Sequence, residues 1–183
     1  ELDEVTPEMR QKGKAVNFGI VYGQKAYGLS QQIDTSVKEA RQFIDSYFER
    51  YPGVKEFIGE TIDTARQKGH VTTLMGRKRH VPGLRAGGSV RSAAGRMAVN
   101  TIIQGSAADL IKQAMLDVSE ALSSVSDRTR MLMQIHDELV FETPDDTLED
   151  LAELARNRMR NAMDLAVPLK VDVATGKNWE EAK

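Results

Sequence analysis

The sequence predicts an α+β fold, with a helical subdomain first and a small antiparallel sheet backed by helices after it. Apolar residues recur every three or four positions along most of the first 125 residues, which is typical of amphipathic helices. Short apolar runs flank turn-forming residues further along, and these favour hairpins. With 183 residues and 40% hydrophobic content, the chain can bury a core as one domain, or as one domain with an added lobe.

Four helices are predicted in the N-terminal part, because caps, prolines and glycines delimit each periodic segment. Thr6 and Pro7 open the first helix, and Gly23 follows it. The run Asp34-Thr35-Ser36 is predicted to cap the third helix, and Pro52 opens the fourth. The predicted ranges are 7–22, 27–33, 37–48 and 52–68. The aromatic residues of the last two helices are expected to form a core between them, with stacking on single-stranded DNA as the alternative; they are Tyr47, Phe48, Tyr51 and Phe57.

Strands and longer helices are predicted after Gly69, with a boundary near residues 84–88 that divides the chain into 1–86 and 87–183. One hairpin is predicted over 70–74 and 77–81, and a second over 131–135 and 139–142. A long helix over 89–122 lies between the hairpins, and a helix over 148–165 and a strand over 169–173 complete the chain.

Composition excludes several classes of protein and site. The absence of cysteine excludes disulfides, thiolate metal sites and cysteine nucleophiles. The three histidines lack zinc-ligand spacing. No apolar run approaches the roughly 20 residues of a membrane span, and the first residues have no signal-peptide pattern, so we expect a cytoplasmic protein without a membrane partner. Because no methionine stands at position 1, we expect the chain to begin partway through a longer protein.

Charge is segregated along the chain, although the net charge is only -2. Residues 64–108 contain eight Lys and Arg and no Asp or Glu, whereas residues 137–164 contain nine acidic residues against three arginines. A basic surface attracts phosphate backbones, and an acidic region can hold a metal ion or face water. The alternative for the basic stretch is a solvated face without a ligand.

The first predicted helix carries Arg10, Lys14, Phe18 and Tyr22 at four-residue spacing, so these side chains follow one face over about 18 Å. Cations near a helix N-terminus favour phosphate, and aromatic rings offer a surface on which a base can stack. The alternative is an ordinary amphipathic helix whose aromatic residues lie in the core.

Four segments of the chain resemble motifs of family A DNA polymerases, the bacterial DNA polymerase I type. RQKGKAVNFGIVYG at 10–23 is similar to the family's fingers helix, and QIHDELV at 134–140 to its palm carboxylate motif. RMAVN at 96–100 and QGSAAD at 104–109 are similar to the helix along the primer–template minor groove. The resemblance runs from about residue 7 to 179. It implies that 1–86 is a fingers subdomain, that 87–183 is the C-terminal part of a palm, and that the activity is DNA-directed DNA synthesis in replication and repair.

The resemblance also implies roles for the residues of the first helix. Arg10 and Lys14 match residues that hold the incoming dNTP, and we count Lys14 among the catalytic residues. Phe18 matches the residue that packs on the base and sugar of the dNTP, and Tyr22 the one that guards the template position. Phenylalanine at position 18 implies discrimination against dideoxynucleotides, because the hydroxyl of tyrosine is absent.

Primer–template DNA is the second implied partner. Arg96, Asn100 and Gln104 share one helix face, and their donors and amides suit the minor-groove acceptors that every base pair presents. The alternative for Asn100 and Gln104 is packing inside the helix layer. His136 is expected to support the primer end, or else to be a structural residue of the hairpin.

The catalytic carboxylate is expected at the second hairpin. Asp137 is the predicted Mg²⁺ ligand of a two-metal site, and Glu138 beside it is a candidate catalytic residue. The family's other palm motif, Asp-Tyr-Ser followed by a glutamate, is missing from this sequence, so the second carboxylate is expected from the remaining N-terminal part of the same polymerase. We therefore expect negligible polymerase activity from this chain alone. The alternatives are a non-catalytic helical DNA-binding module and a metal-dependent phosphohydrolase.

Overall fold

The computed structural model describes residues 4–182, and it confirms the α+β fold. Helices α1 to α4 come first, followed by a small hairpin of strands β1 and β2, the long helix α5, a second hairpin of β3 and β4, and helix α6. Their bounds are α1 Pro7–Val21, α2 Ala26–Ile33, α3 Val37–Arg50, α4 Pro52–Lys68, β1 His70–Thr72, β2 Lys78–His80, α5 Gly88–Ala121, β3 Arg130–Ile135, β4 Glu138–Glu142 and α6 Leu148–Arg160.

Side-chain caps fix the starts of α1 and α3 as predicted. The backbone N–H of Met9 donates to the Thr6 hydroxyl at 3.2 Å, which satisfies one of the free N–H groups of the first turn of α1. Ser36 and Glu39 form a reciprocal capping box at α3: the N–H of Glu39 donates to Ser36 Oγ at 3.2 Å, and the N–H of Ser36 donates to Glu39 Oε2 at 3.1 Å.

Two separate hydrophobic clusters form among the residues up to Gly105. The first joins α1, α2 and α3, and consists of Ala26, Leu29, Ile33 and Ala40 with Ala15, Val16 and Ile44 against them. The second joins α4, the β1–β2 hairpin and α5, and consists of Ala65, Val71, Val81, Leu84, Ala94 and Ala98 with Ile62 and Ile102 against them. Because alanines make up much of both clusters, neighbouring backbones approach closely.

Both hairpins are antiparallel. In the first, Val71 lies opposite Arg79, between the pairs His70–His80 and Thr72–Lys78. In the second, Ile135 lies opposite Glu138, so the connection is a two-residue turn, and an irregularity separates Met131 from Met133.

The described chain divides into two compact units, and the division falls inside α5, after Gly105. The first unit carries α1 to α4, the β1–β2 hairpin and the first half of α5, and the second carries the rest. The subdomain boundary near residue 86 stays a prediction. None of the helices within 4–182 combines the length and the apolar character that crossing a membrane requires.

Two predicted elements near the C-terminus are wrong. Residues 169–173 form no strand, although Leu169 and Val171 are half-buried in alternation as a strand would be. Neither β3 nor β4 pairs with this segment, and a strand needs a hydrogen-bonded partner. Helix α6 ends at Arg160 and not at Leu165. The side-chain amide of Asn161, the residue after the helix, donates to the carbonyl of Asn157 at 2.8 Å, and a side-chain bond of this kind competes with continuation of the helix.

The predicted aromatic core between α3 and α4 is only partly present. Tyr47 and Phe48 are half-buried, with their rings edge-to-face at 5.8 Å. Tyr51 and Phe57 are exposed, and the buried residues of α3 and α4 belong to two other clusters, Ala40 to the one shared with α2 and Ala65 to the one shared with the β1–β2 hairpin and α5.

Candidate functional site

The predicted face of α1 is exposed in the first unit. Arg10, Lys14 and Phe18 are exposed and Tyr22 is half-buried, whereas Ile20 is the buried residue of this helix. The rings of Phe18 and Tyr22 stack with centroids 6.2 Å apart and planes inclined by 12°. Because the apolar cluster takes a different face of the helix, Phe18 is not part of a core, and the amphipathic alternative for this residue is wrong. We call these four side chains the ridge.

The end of the ridge lies against α5. Gly23 has a φ of 75°, a conformation that glycine adopts without strain, and it follows the helix at once. A Cβ at this position would lie 2.9 Å from Cγ of Arg96, so the aliphatic stem of Arg96 occupies the space that a side chain would need. The structure thereby brings Gly23, the residue after Tyr22, against Arg96, which lies far away in the sequence.

The predicted DNA face of α5 contains one unusual polar group. Arg96 and Gln104 are exposed, and the Arg96 guanidinium donates to Ser92 Oγ at 3.0 Å. Asn100 is half-buried, and its Oδ1 is buried without accepting a hydrogen bond from any described residue. A buried amide that only packs is normally satisfied, so this acceptor does not fit the packing alternative.

The second unit holds the predicted carboxylate at the tip of its hairpin. His136 and Asp137 form the turn between β3 and β4, and Glu138 is the first residue of β4. His136 has a φ of 53°, which is uncommon for a residue with a side chain. The side-chain amide of Gln134 donates to the carbonyl of His136 and holds this turn. Asp137, Glu138 and His136 are all exposed.

The described residues do not complete a metal site. A carboxylate oxygen such as that of Asp137 is a suitable Mg²⁺ ligand, but residues 4–182 bring no group of three metal-ligating side chains together. Asp137 would therefore hold an ion only with ligands from elsewhere.

A groove that the sequence did not predict lies on the opposite side of α1 from the ridge. It has a volume of about 870 Å³ and lies between α1 and α3. The Tyr47 hydroxyl donates to Asn17 Oδ1 at 2.8 Å across it. Burial, and to a smaller extent the neighbouring Tyr51, raises the pKa of Tyr47. The exposed aromatic residues of α3, such as Phe43, are the signal that could have pointed to this groove.

The comparisons with known proteins agree on one family. The family model of DNA polymerase family A matches residues 1–181. The chain belongs to DNA polymerase family A.

Relatives within the family match almost the whole chain. It is 50% identical to the DNA polymerase I of Bacillus caldotenax and 50% identical to that of Bacillus subtilis strain 168, in each case over 99% of this chain and 21% of the relative. This chain thus spans about a fifth of the length of these polymerases. Among solved structures, it matches the POL domain of Pol1 from M. smegmatis in complex with DNA primer-template and dNTP. That match has a TM-score of 0.94 at 44% identity, over 100% of this chain and 32% of that one.

Proposed function

We propose that this chain is the fingers (1–86) and the C-terminal part of the palm (87–183) of a DNA-directed DNA polymerase that acts in replication and repair. The reaction is nucleotidyl transfer: the primer 3′ hydroxyl attacks the α-phosphorus of a dNTP, a new P–O bond forms, and pyrophosphate leaves. The observation that carries this proposal is the ridge, in which two exposed cations and two stacked rings follow one face of α1.

On this proposal the ridge binds the dNTP. Arg10 and Lys14 neutralise the triphosphate, and Lys14 also stabilises the charge that develops on the phosphates in the transition state. Phe18 packs on the base and sugar, and its exposed ring supports this role. Tyr22 lies at the template position. The next residue, Gly23, contacts Arg96 of α5, the helix proposed to bind DNA, and this contact supports that placement.

Primer–template DNA lies along α5 in the same proposal. Arg96, Asn100 and Gln104 contact the minor groove without regard to sequence, and the unsatisfied Oδ1 of Asn100 supports a role that packing does not explain. His136 supports the primer end, and its positive φ is in keeping with a functional turn, where such conformations cluster. The solved M. smegmatis relative contains the two partners that we propose here, primer-template DNA and dNTP.

Asp137 is the residue of this chain that would hold Mg²⁺, with Glu138 beside it as a further catalytic carboxylate. When bound, the divalent ion neutralises charge on the reacting phosphate. The remaining ligands come from the N-terminal part of the same polymerase, so the chain alone has negligible activity. A polymerase of a bacterial chromosome acts in the cytoplasm, which is the location we propose.

The decisive experiment measures binding of the 183-residue chain to a primer–template whose primer ends in a dideoxynucleotide. The complementary dNTP should tighten binding more than the other three, because it pairs with the template and contacts the ridge. Lys14→Ala should remove this gain, and Lys38→Ala, which removes an exposed cation of α3, should keep it. DNA binding that no dNTP tightens, in the wild type as in Lys14→Ala, would instead indicate a non-catalytic DNA-binding module.

Activity is tested by transferring residues 1–183 into the corresponding segment of the Bacillus subtilis relative. The chimaera should extend primers, and the isolated chain should not. Robust extension by the isolated chain would contradict the assignment of a missing carboxylate.

A further inference from the structure

The β1–β2 hairpin has two different faces. Val71 and its cross-strand partner Arg79 are on the inner face: Val71 is buried, and the Arg79 guanidinium donates to Thr101 Oγ1 of α5 at 3.2 Å. Beyond β1, buried Thr73 packs against Gly105, where a Cβ would lie only 2.7 Å from the Thr73 methyl carbon. These contacts hold the inner face against α5.

The outer face carries residues that α5 does not cover. Side chains alternate along a strand, so the pairs His70–His80 and Thr72–Lys78 point away from the inner face. The two imidazole rings meet edge-to-face, with centroids 6.1 Å apart. At the tip of the hairpin, Met75 is 50% exposed.

The segment of sequence that contains the hairpin carries charge of one sign. Between residues 64 and 108 the sequence contains no carboxylate, and all eight of its cations are exposed. They are Arg66, Lys68, Arg77, Lys78, Arg79, Arg85, Arg91 and Arg96. A surface of this kind attracts phosphates over a distance of about 8 Å at physiological salt.

The hairpin lies beside the predicted DNA face of α5, and not on it. Its two anchors, Thr101 and Gly105, each follow a residue of that face by one position, namely Asn100 and Gln104. One residue is about 100° of rotation around a helix. A duplex on the α5 face therefore leaves the outer face of the hairpin available to a different strand.

We propose that the outer face of the β1–β2 hairpin binds an unpaired DNA strand. Lys78 contacts its phosphates, and the His70–His80 rings with the apolar tip contact its bases. Cations combined with flat rings and apolar side chains are the chemistry of single-strand binding, because only an unpaired base exposes its face. The inference rests on the proposed function, in which the unpaired strand is the template beyond the primer end.

The test measures, by fluorescence anisotropy, the affinity of the full 183-residue chain for two DNAs. One is a blunt duplex, and the other is the same duplex with an unpaired 5′ extension of about 10 nucleotides on the template strand. The extension should tighten binding. The double variant Lys78→Gln, His80→Ala should lose that gain, by about fivefold or more, and should bind the blunt duplex as before. The salt dependence of binding to the extended DNA should weaken by about 0.7 in log–log slope for the lost phosphate contact.

A matched control is Lys38→Gln with Lys55→Gln, which removes two exposed cations of α3 and α4 outside the acid-free stretch and should change nothing. The proposal is overturned if the extension gives no gain in affinity, if the gain survives the hairpin variant, or if the variant weakens binding to the blunt duplex equally.

Failure of the proposed function is a separate result. It would show as an unchanged affinity for the blunt duplex in the double variant Asn100→Ala, Gln104→Ala. Should the chain bind no duplex, an oligonucleotide without a partner strand decides the matter: binding that depends on Lys78 and His80 supports the proposal, and its absence overturns it.

Discussion

The two units of this chain have opposite charge. Up to Gly105 there are sixteen Lys and Arg against eleven Asp and Glu, whereas from Ser106 onward there are nine against sixteen. The first unit carries the ridge and the β1–β2 hairpin, both proposed to contact phosphates, and the face of α5, proposed to contact the minor groove of DNA. The second carries Asp137, proposed to contact a cation. The small net charge of the chain conceals this division, and the division is the one that the proposed function requires: phosphates attract cations, and a divalent ion binds carboxylates.

The largest effect is expected from the acidic unit. In the Bacillus subtilis chimaera, Asp137→Asn should lower the rate of primer extension by at least about 10²- to 10³-fold, because the variant loses a charged ligand at the reacting phosphate. Asp164→Asn, which removes another exposed carboxylate of the same unit, should leave the rate unchanged. An equal loss of rate in both variants would mean that the rate depends on the net charge of the unit and not on the position of Asp137 in the hairpin turn.

A smaller effect is expected from the basic unit. In the same chimaera, Phe18→Tyr should reduce discrimination against dideoxynucleotides by about tenfold, which is the value of one added hydrogen bond. Phe43→Tyr adds the same hydroxyl to an exposed ring of α3, away from the ridge, and should have no effect. The ratio of kcat/KM for dNTP and dideoxynucleotide measures both. An unchanged ratio in Phe18→Tyr would remove Phe18 from the sugar site.

The packing that holds the hairpin to α5 is tested by stability. Gly105→Ala should lower the free energy of unfolding by up to about 2 kcal/mol, because overpacking against the buried Thr73 outweighs the gain in helix propensity. Gly95→Ala is the control: its Cβ would lie 3.3 Å from the flexible end of Ile62, so the change should be neutral or stabilising. Denaturant unfolding measures both, and equal stability of the two variants would contradict the close contact at Gly105.

The smallest effect concerns the start of α3. Ser36→Ala should cost about 1 kcal/mol of stability near neutral pH, because it removes the side-chain cap. Hydrogen bonds from Ser36, then Thr35, lower the pKa of Glu39 below its usual value of 4.5. A carboxyl whose pKa is lower in the folded state stabilises the fold above its usual pKa, and the effect disappears as the pH falls through the lowered value.

The difference in stability between the wild type and Glu39→Gln should therefore shrink as the pH is lowered below 4.5. Unfolding measured in a pH series provides the check, with Glu49→Gln, an exposed acid of the same helix, as the control. A difference that does not change with pH would argue against the capping box.

Local signals predicted the elements that depend on neighbouring residues. Thr6, Pro7 and Gly23 delimit α1, and Ser36 begins α3, because caps and turns involve only a few consecutive residues. The strand over 169–173 was wrong because its residues alternate suitably but no partner strand pairs with them, which local patterning does not reveal. The sequence did not predict the groove beside Tyr47 either, because its walls come from two helices and local patterning does not show which helices pack together.

The sequence by itself determined the order of Arg10, Lys14, Phe18 and Tyr22 along one helix face, because helical periodicity turns four-residue spacing into a line. It also determined the stretch over 64–108 that has eight cations and no carboxylate. Tertiary structure alone decided that the ridge ends against Arg96 and that the β1–β2 hairpin lies a quarter-turn from Asn100. These contacts join residues that are far apart in the chain. They depend on how closely small side chains let helices and strands approach one another, and the local sequence pattern does not encode that distance.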